Sequence, residues 1–191
     1  MDAWTVVKIK GSKPRRERWT REQVGMVVDA AADAGDTVLA SFVQLMYETA
    51  QRPSDILEVS TWFQDRGQWY IDLAQSKTGS EVIVPFSDKA MALCGNPEPG
   101  SRRNLLGTKV TLDALRVRFN KLRKVLGIDS SIQLRDLRRT AITEMSERGA
   151  TDDEMRTVSG HKDSAMLPVY SVPTRRKAQA MFDRRFVEWQ T

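Results

Sequence analysis

Between Arg135 and Tyr170 the chain gathers residue types suited to phosphodiester chemistry: Arg135-Asp136-Leu137-Arg138-Arg139-Thr140, then Ser159-Gly160-His161, then Tyr170. The planar fork of an arginine grips two phosphate oxygens at once and stays charged at any working pH. A tyrosine hydroxyl is one of the few side-chain groups that can form a covalent intermediate. His161 is the only histidine in the chain. Two further cations stand apart. Arg52 lies between Gln51 and Pro53 at the start of a helix, where a positive charge opposes the helix dipole. Lys77 falls at the tip of a hairpin. Taken singly, each has a plainer role open to it: a solvated basic face for the arginines, a half-buried core position for the tyrosine, a structural place for the histidine, a solvated turn for the lysine.

Local pattern sets the elements that must position these groups. Thr20 with Gln23 makes a capping box, and Val24, Val27, Val28 and Ala31 form one face of the helix behind it. Gly35-Asp36 breaks that helix. Leu39, Phe42, Val43 and Met46 mark a second, and Pro53 suits the first turn of a short third carrying Ile56, Leu57 and Val59. The period then changes to two. Trp69, Ile71 and Leu73 alternate with Gln68, Tyr70 and Asp72, and Val82, Val84 and Phe86 alternate with Glu81, Ile83 and Pro85. Two strands are expected, joined by Gln75-Ser76-Lys77-Thr78-Gly79-Ser80.

Helical signals return at Lys89 to Cys94, and residues 95–101 read as a loop. Leu112, Leu115, Phe119, Leu122 and Leu126 form a stripe ended by Gly127. A helix is expected from about Gln133 to Arg148, with Arg135 and Arg138 on one face and Leu134, Leu137, Ala141 and Met145 on the buried side. Thr151 with Glu154 is a second capping box. A last helix follows Pro173, with Ala178, Met181, Phe182 and Phe186 on its apolar side.

Bulk composition fits a soluble domain of 191 residues, with 40% hydrophobic and 29% charged residues. No apolar run approaches the roughly 20 residues of a membrane span, and Lys8, Lys10 and Lys13 interrupt any secretory signal. No membrane partner is expected. The single cysteine, Cys94, reads as core filler and fits a reducing cytoplasm. Charge is uneven. The segment from Arg102 to Arg139 holds eleven Lys and Arg against three Asp, a net of +8. Lys8, Lys10, Lys13, Arg15, Arg16, Arg18 and Arg21 stand against Glu17 alone. Such clustering is the footprint of a phosphate backbone, although a solvated basic face would look the same.

Order and spacing add what single residues lack. Thr49-Ala50-Gln51-Arg52-Pro53-Ser54-Asp55-Ile56-Leu57, Ser76-Lys77-Thr78-Gly79, Arg135-Asp136-Leu137-Arg138-Arg139-Thr140, Ser159-Gly160-His161 and Val169-Tyr170 together resemble the catalytic domain of tyrosine recombinases, the phage-integrase family. The resemblance covers roughly residues 20 to 190. It implies a mainly α domain with a small antiparallel β-sheet (α+β), acting in site-specific DNA recombination on double-stranded DNA. Tyr170 would attack the scissile phosphate and form a 3′-phosphotyrosyl link. Arg52 and Arg138 would hold the non-bridging oxygens, and Lys77 would protonate the leaving 5′-oxygen. His161 would bond the phosphate or assist the nucleophile, and Asp55 would brace the site. No cofactor and no metal is implied, since arginines supply the positive charge. Self-association as a tetramer on DNA is implied for the full-length form, with a cytoplasmic protein of bacterial or phage origin.

The sequence departs from the family pattern in three places. Arg135 stands where the family has a histidine, and an arginine cannot act as a general base; it remains a candidate phosphate clamp. Ala50 stands where glycine is frequent. The N-terminal core-binding domain is missing: residues 1–19 read as a basic arm or interdomain linker and 20–191 as the catalytic domain. A catalytic-domain fragment of a longer integrase is therefore expected, with a naturally short protein as the alternative. Two rival functions keep the same fold or chemistry: a DNA-binding regulator with impaired catalysis, which Arg135 favours, and a type IB topoisomerase. Arg135→His should preserve or raise covalent trapping on nicked DNA, whereas complete loss would assign Arg135 a role that histidine cannot fill.

Overall fold

The computed structural model describes residues 16–161. Helix α1 (Arg21–Asp33) starts at the expected capping box, in which Thr20 Oγ1 accepts from Gln23 N and Gln23 Oε1 accepts from Thr20 N. Its inward face is Val24, Val27, Val28 and Ala31. Helix α2 (Thr37–Thr49) is capped by Asp36 and buries residues on nearly every side, Leu39, Ala40, Phe42, Val43, Leu45 and Met46 among them. A helix apolar all round belongs at the centre, and α2 does pack against six of the other elements. After Ala50, the chain turns into the short α3 (Pro53–Leu57).

Three strands follow: β1 (Thr61–Asp65), β2 (Gln68–Ala74) and β3 (Glu81–Phe86), antiparallel in that order. Only β2 and β3 were expected. β1 pairs with β2 from Thr61↔Asp72 to Asp65↔Gln68, across a two-residue turn in which Arg66 and Gly67 have φ of 48° and 84°. Two positive φ values are the mark of the tight turn that suits strand twist. β1 hides only Trp62, so it carries too little alternation to stand out. Val82, Val84 and Phe86 face the core from β3 as expected.

The remaining helices are α4 (Asp88–Leu93), α5 (Leu112–Val125), α6 (Asp136–Glu147) and α7 (Asp152–Ser159). α6 begins at Asp136 rather than at the expected Gln133. Asp136 Oδ2 accepts from Gln133 N at 2.9 Å, and its own N–H returns to Gln133 O at 3.0 Å. That closed turn replaces the first helical turn. α7 opens on the second expected capping box, Thr151 with Glu154.

Cys94 is buried, and burial pushes its thiol up to about 11, so it fills space as a neutral group. Among the described residues no helix is long and apolar enough to cross a membrane. The helix expected after Pro173 lies outside the described residues.

The end of the expected arm belongs to the core. Trp19 is 3% exposed and stacks on Phe119 with ring centroids 5.2 Å apart. Its backbone N–H donates to Thr140 Oγ1 at 2.9 Å and its indole Nε1 to Gln133 O at 2.9 Å. Nearby, Arg18 pairs with Glu147. The chain is thus stapled to α6 before α1 begins.

Ala50 ends α2 in the left-handed region, with φ 56° and ψ 22°, fully buried against Ala141, Ile142 and Met155. This explains why glycine suits the position. Relief of the left-handed backbone is worth about 1–2 kcal/mol, against about 0.8 kcal/mol for a lost buried methyl. Ala50→Gly should therefore change stability by no more than about 1 kcal/mol, a melting shift of roughly 2–4 °C. Ala50→Val, branched and overpacked at positive φ, should lower it by about 2 kcal/mol or more. Calorimetric melts of the two variants check both signs.

Candidate active site

The site begins where α3 meets the β2–β3 hairpin. Pro53 fixes the first turn of α3, which puts Arg52 at its N-cap with an extended backbone. The Arg52 guanidinium donates to Gln75 Oε1 and sits 3.7 Å from Asp55 Oδ2. Asp55 is 4% exposed. Its Oδ1 accepts from Ser76 N at 3.1 Å and from Ser76 Oγ at 2.7 Å. One carboxylate thereby braces Arg52 and pins the base of the hairpin. Gly79, at φ 63°, closes the loop with its N–H on Gln75 O at 2.7 Å. Lys77 is exposed on this turn, beside the residues that hold Arg52.

The second half is built where α7 ends. Gly160 takes the left-handed cap at φ 66°, and its N–H returns to Arg156 O at 2.7 Å. Helix ends leave carbonyls without a helical partner, and side chains from elsewhere meet these. Gln51 Nε2 donates to Val158 O at 2.7 Å, Gln75 Nε2 to Ser159 O at 2.7 Å, and Arg138 Nη2 to Ser159 O at 2.8 Å. Arg138 also donates through Nη1 to Ala50 O at 2.7 Å. At 7% exposure, a charged side chain needs such partners. The negative end of the α7 dipole adds to them.

His161 completes the cluster. Its Nε2 is 3.3 Å from Arg138 Nη2, and its Nδ1 is 2.7 Å from Ser159 Oγ. A guanidinium only donates, so Nε2 accepts and Nδ1 carries the proton, which it gives to Ser159. Burial first, then the charges of Arg138 and Arg52, push His161 down from 6.5 to about 4. At neutral pH it is an uncharged imidazole in a field set by two arginines.

Arg52, Arg138 and His161 are therefore brought together, with Lys77 on the adjoining turn. Arg135 stands three residues before Arg138 in the chain. It is the N-cap of α6, exposed, and lines a cleft of about 270 Å³ with Pro53, Arg116, Phe119 and Gln133. Its backbone is helical, with φ −62° and ψ −22°. Tyr170 lies outside the described residues. Part of the +8 charge is structural: Arg102 and Arg123 each donate to two backbone carbonyls, and Arg116 and Arg118 pair with Asp113 and Asp36. Arg103, Lys109, Lys121 and Lys124 are exposed.

Comparison with known proteins shows the family and the fold. The sequence profile of the phage integrase family matches residues 17–176. The chain belongs to the phage integrase family. A tyrosine recombinase XerA of Saccharolobus solfataricus is 26% identical over 149 residues, 78% of this chain and 50% of that protein. The chain thus spans about half the length of this curated integrase relative.

A solved XerA recombinase superposes with a TM-score of 0.66 at 15% identity, covering 90% of this chain and 66% of that one. A lambda integrase dimer bound to a COC' core site gives 0.65 at 22% identity, over 84% and 49%. The lambda integrase catalytic core gives 0.59 at 17% identity, over 78% of this chain and 94% of that one. The expected fold class, mainly helical with a small antiparallel sheet, is the integrase fold observed.

Neither Gln51 nor Gln75 carries a sequence signal of its own, although both hold this candidate site together. Their partners lie far along the chain, and no local period marks a buried glutamine. His161 offers a direct check on the electrostatics. As the only histidine, it gives one ring Cε1–H resonance. In the free protein that resonance should titrate near 4 rather than 6.5. Because the folded chain refuses a proton that the unfolded chain accepts, this group's contribution to stability falls as pH drops from 6.5 toward 4. An anion at the arginines should move the midpoint upward, as read by NMR with added orthovanadate. A midpoint at the ordinary value in the free protein would refute the arrangement.

Proposed function

We propose that this chain is the catalytic domain of a site-specific DNA recombinase, which cleaves and rejoins strands through a 3′-phosphotyrosyl intermediate. The observation that carries this reading is the gathering of two held arginines, Arg52 and Arg138, around His161. Positive charge accumulated around a group that cannot share it is stabilised when an anion enters, and more so when that anion gains charge. A phosphodiester passing to a five-coordinate phosphorane does so.

In this reading, Tyr170 Oη attacks phosphorus and gives up its proton. The bond from phosphorus to the 5′-oxygen breaks, and Lys77, exposed on its turn, supplies the proton that makes the leaving group a hydroxyl. Arg52 and Arg138 neutralise the non-bridging oxygens. His161 Nε2 can take a proton from water or from Tyr170, or bond the phosphate once protonated, when its contact with Arg138 Nη2 opens. The tyrosyl ester keeps the energy of the broken bond, so a second 5′-hydroxyl can reverse the steps on a new partner. Arg135, exposed in the cleft it shares with Pro53, suits a further clamp on the DNA backbone.

Double-stranded DNA is the proposed partner, with tetramer formation in the full-length protein. The reading is supported by relatives solved as DNA complexes, including a lambda integrase tetramer bound to a Holliday junction. The residues ahead of Arg18 are proposed as the linker to a DNA-clamping domain, and the setting as cytoplasmic.

A duplex nicked close to the cleavage position should trap a covalent protein–DNA adduct, because the short released strand diffuses away. Tyr170→Phe should abolish the adduct and leave DNA affinity within about threefold, since one hydroxyl among many phosphate contacts contributes little to binding. Cleavage that survives this change would exclude Tyr170 as nucleophile. Relaxation of supercoils without a sequence-specific product would point to topoisomerase action, and binding without any adduct to a regulator.

A further inference from the structure

Gln75 directly follows β2 and is 1% exposed. Its amide is fully used. Oε1 accepts from Arg52 Nη1 and from Thr78 Oγ1 at 2.9 Å, and Nε2 donates to Gln51 Oε1 at 2.6 Å and to Ser159 O at 2.7 Å. A carboxamide offers two donors and two lone pairs, so nothing is left over. Its orientation is also determined. A flipped amide would aim NH₂ at the Arg52 guanidinium and press its oxygen against Gln51 Oε1 and Ser159 O. Gln51 cannot turn to compensate, because its own Nε2 is held by Thr49 O at 2.8 Å and Val158 O at 2.7 Å.

The contact with the histidine turn is equally tight. A Cβ on Gly160 would lie 2.5 Å from Gln75 Nε2 and 2.6 Å from its Cδ. Gly160 therefore serves two ends, a left-handed helix cap and a space into which Gln75 fits. Through one side chain, Arg52, the hairpin of Lys77 and the Ser159–His161 turn are held in register. Ser159 O then extends the connection to Arg138.

We propose that Gln75 is a positioning residue for phosphodiester cleavage, orienting Arg52 and registering the Lys77 hairpin against the His161 turn. This rests on the recombinase reading above. The choice of an amide over a carboxylate follows from charge. A glutamate would accept the same hydrogen bond from Arg52, but it would neutralise the guanidinium and compete with the phosphate for it. It would also set an anion against Gln51 Oε1 and Ser159 O. An apolar residue would take from buried Gln51 Oε1 the donor that Gln75 gives it. The neutral amide fixes direction while the positive charge remains for the substrate.

The test uses the whole chain and the nicked duplex under single-turnover conditions. Gln75→Glu, equal in shape, should slow adduct formation roughly tenfold to hundredfold, the scale of a small misplacement in an active site. Its DNA affinity should stay within about threefold, since phosphate contacts spread over the surface dominate binding. Gln75→Ala should also be slow. Combined with Arg52→Ala, neither change should add to the loss that Arg52→Ala causes alone, because groups acting as a unit are non-additive.

Rates within about twofold of wild type, losses that multiply with Arg52→Ala, or a loss that only follows the loss of folded protein in circular-dichroism melts each overturn the proposal. Phenylglyoxal labelling of Arg52, read by peptide mass spectrometry, separates this outcome from failure of the recombinase reading. If wild type forms no adduct, that reading falls. Faster labelling of Arg52 in Gln75→Ala still supports the role of Gln75, and unchanged labelling removes it.

Discussion

The end of α7 is the constraint on which the site depends. A helix must stop, and where it stops its last carbonyls need donors. Here the donors are Gln51, Gln75 and Arg138, drawn from the α2–α3 turn, the β2–β3 hairpin and α6. Satisfying one helix terminus thus fixes the relative position of three elements that are distant in sequence. Arg138 is the largest stake. Burying its charge costs several kcal/mol. Two charged hydrogen bonds, each contributing about 1.5–3 kcal/mol, and the helix dipole, about 0.3–2 kcal/mol, offset most of that. The balance is close, so a docked anion falls on a site with little positive charge already neutralised.

The same economy appears around Arg52. Asp55 could cancel its charge, yet at 3.7 Å the pairing is loose, while Asp55 Oδ1 is committed to Ser76. Arg52 is held in direction chiefly by the neutral Gln75. His161 reports the outcome: burial and two cations keep it unprotonated, so a change in its titration reads the charge of whatever enters.

Much of the scaffold is legible in the sequence because it is locally encoded. The Thr20–Gln23 and Thr151–Glu154 boxes, Pro53 in the first turn of α3 and the alternation in β3 each act within a few residues, and each appears where it was read. What escapes local reading is long-range. β1 owes its existence to pairing with β2 and to one buried tryptophan. Trp19 looks like part of a basic arm because its partners, Thr140 and Gln133, are far along the chain. The start of α6 at Asp136 turns on that residue's carboxylate folding back on Gln133 N. The grouping of Arg52, Arg138 and His161 was legible only through motif order. The glutamines that join them were not, since a buried amide network leaves no periodic trace.

The staple at Trp19 has a mechanical meaning. Its backbone and indole both grip the start of α6, the helix that carries Arg138, and Arg18 grips the far end of the same helix at Glu147. The entry of α1 and the helix of Arg138 therefore cannot shift apart without breaking three long-range hydrogen bonds at once.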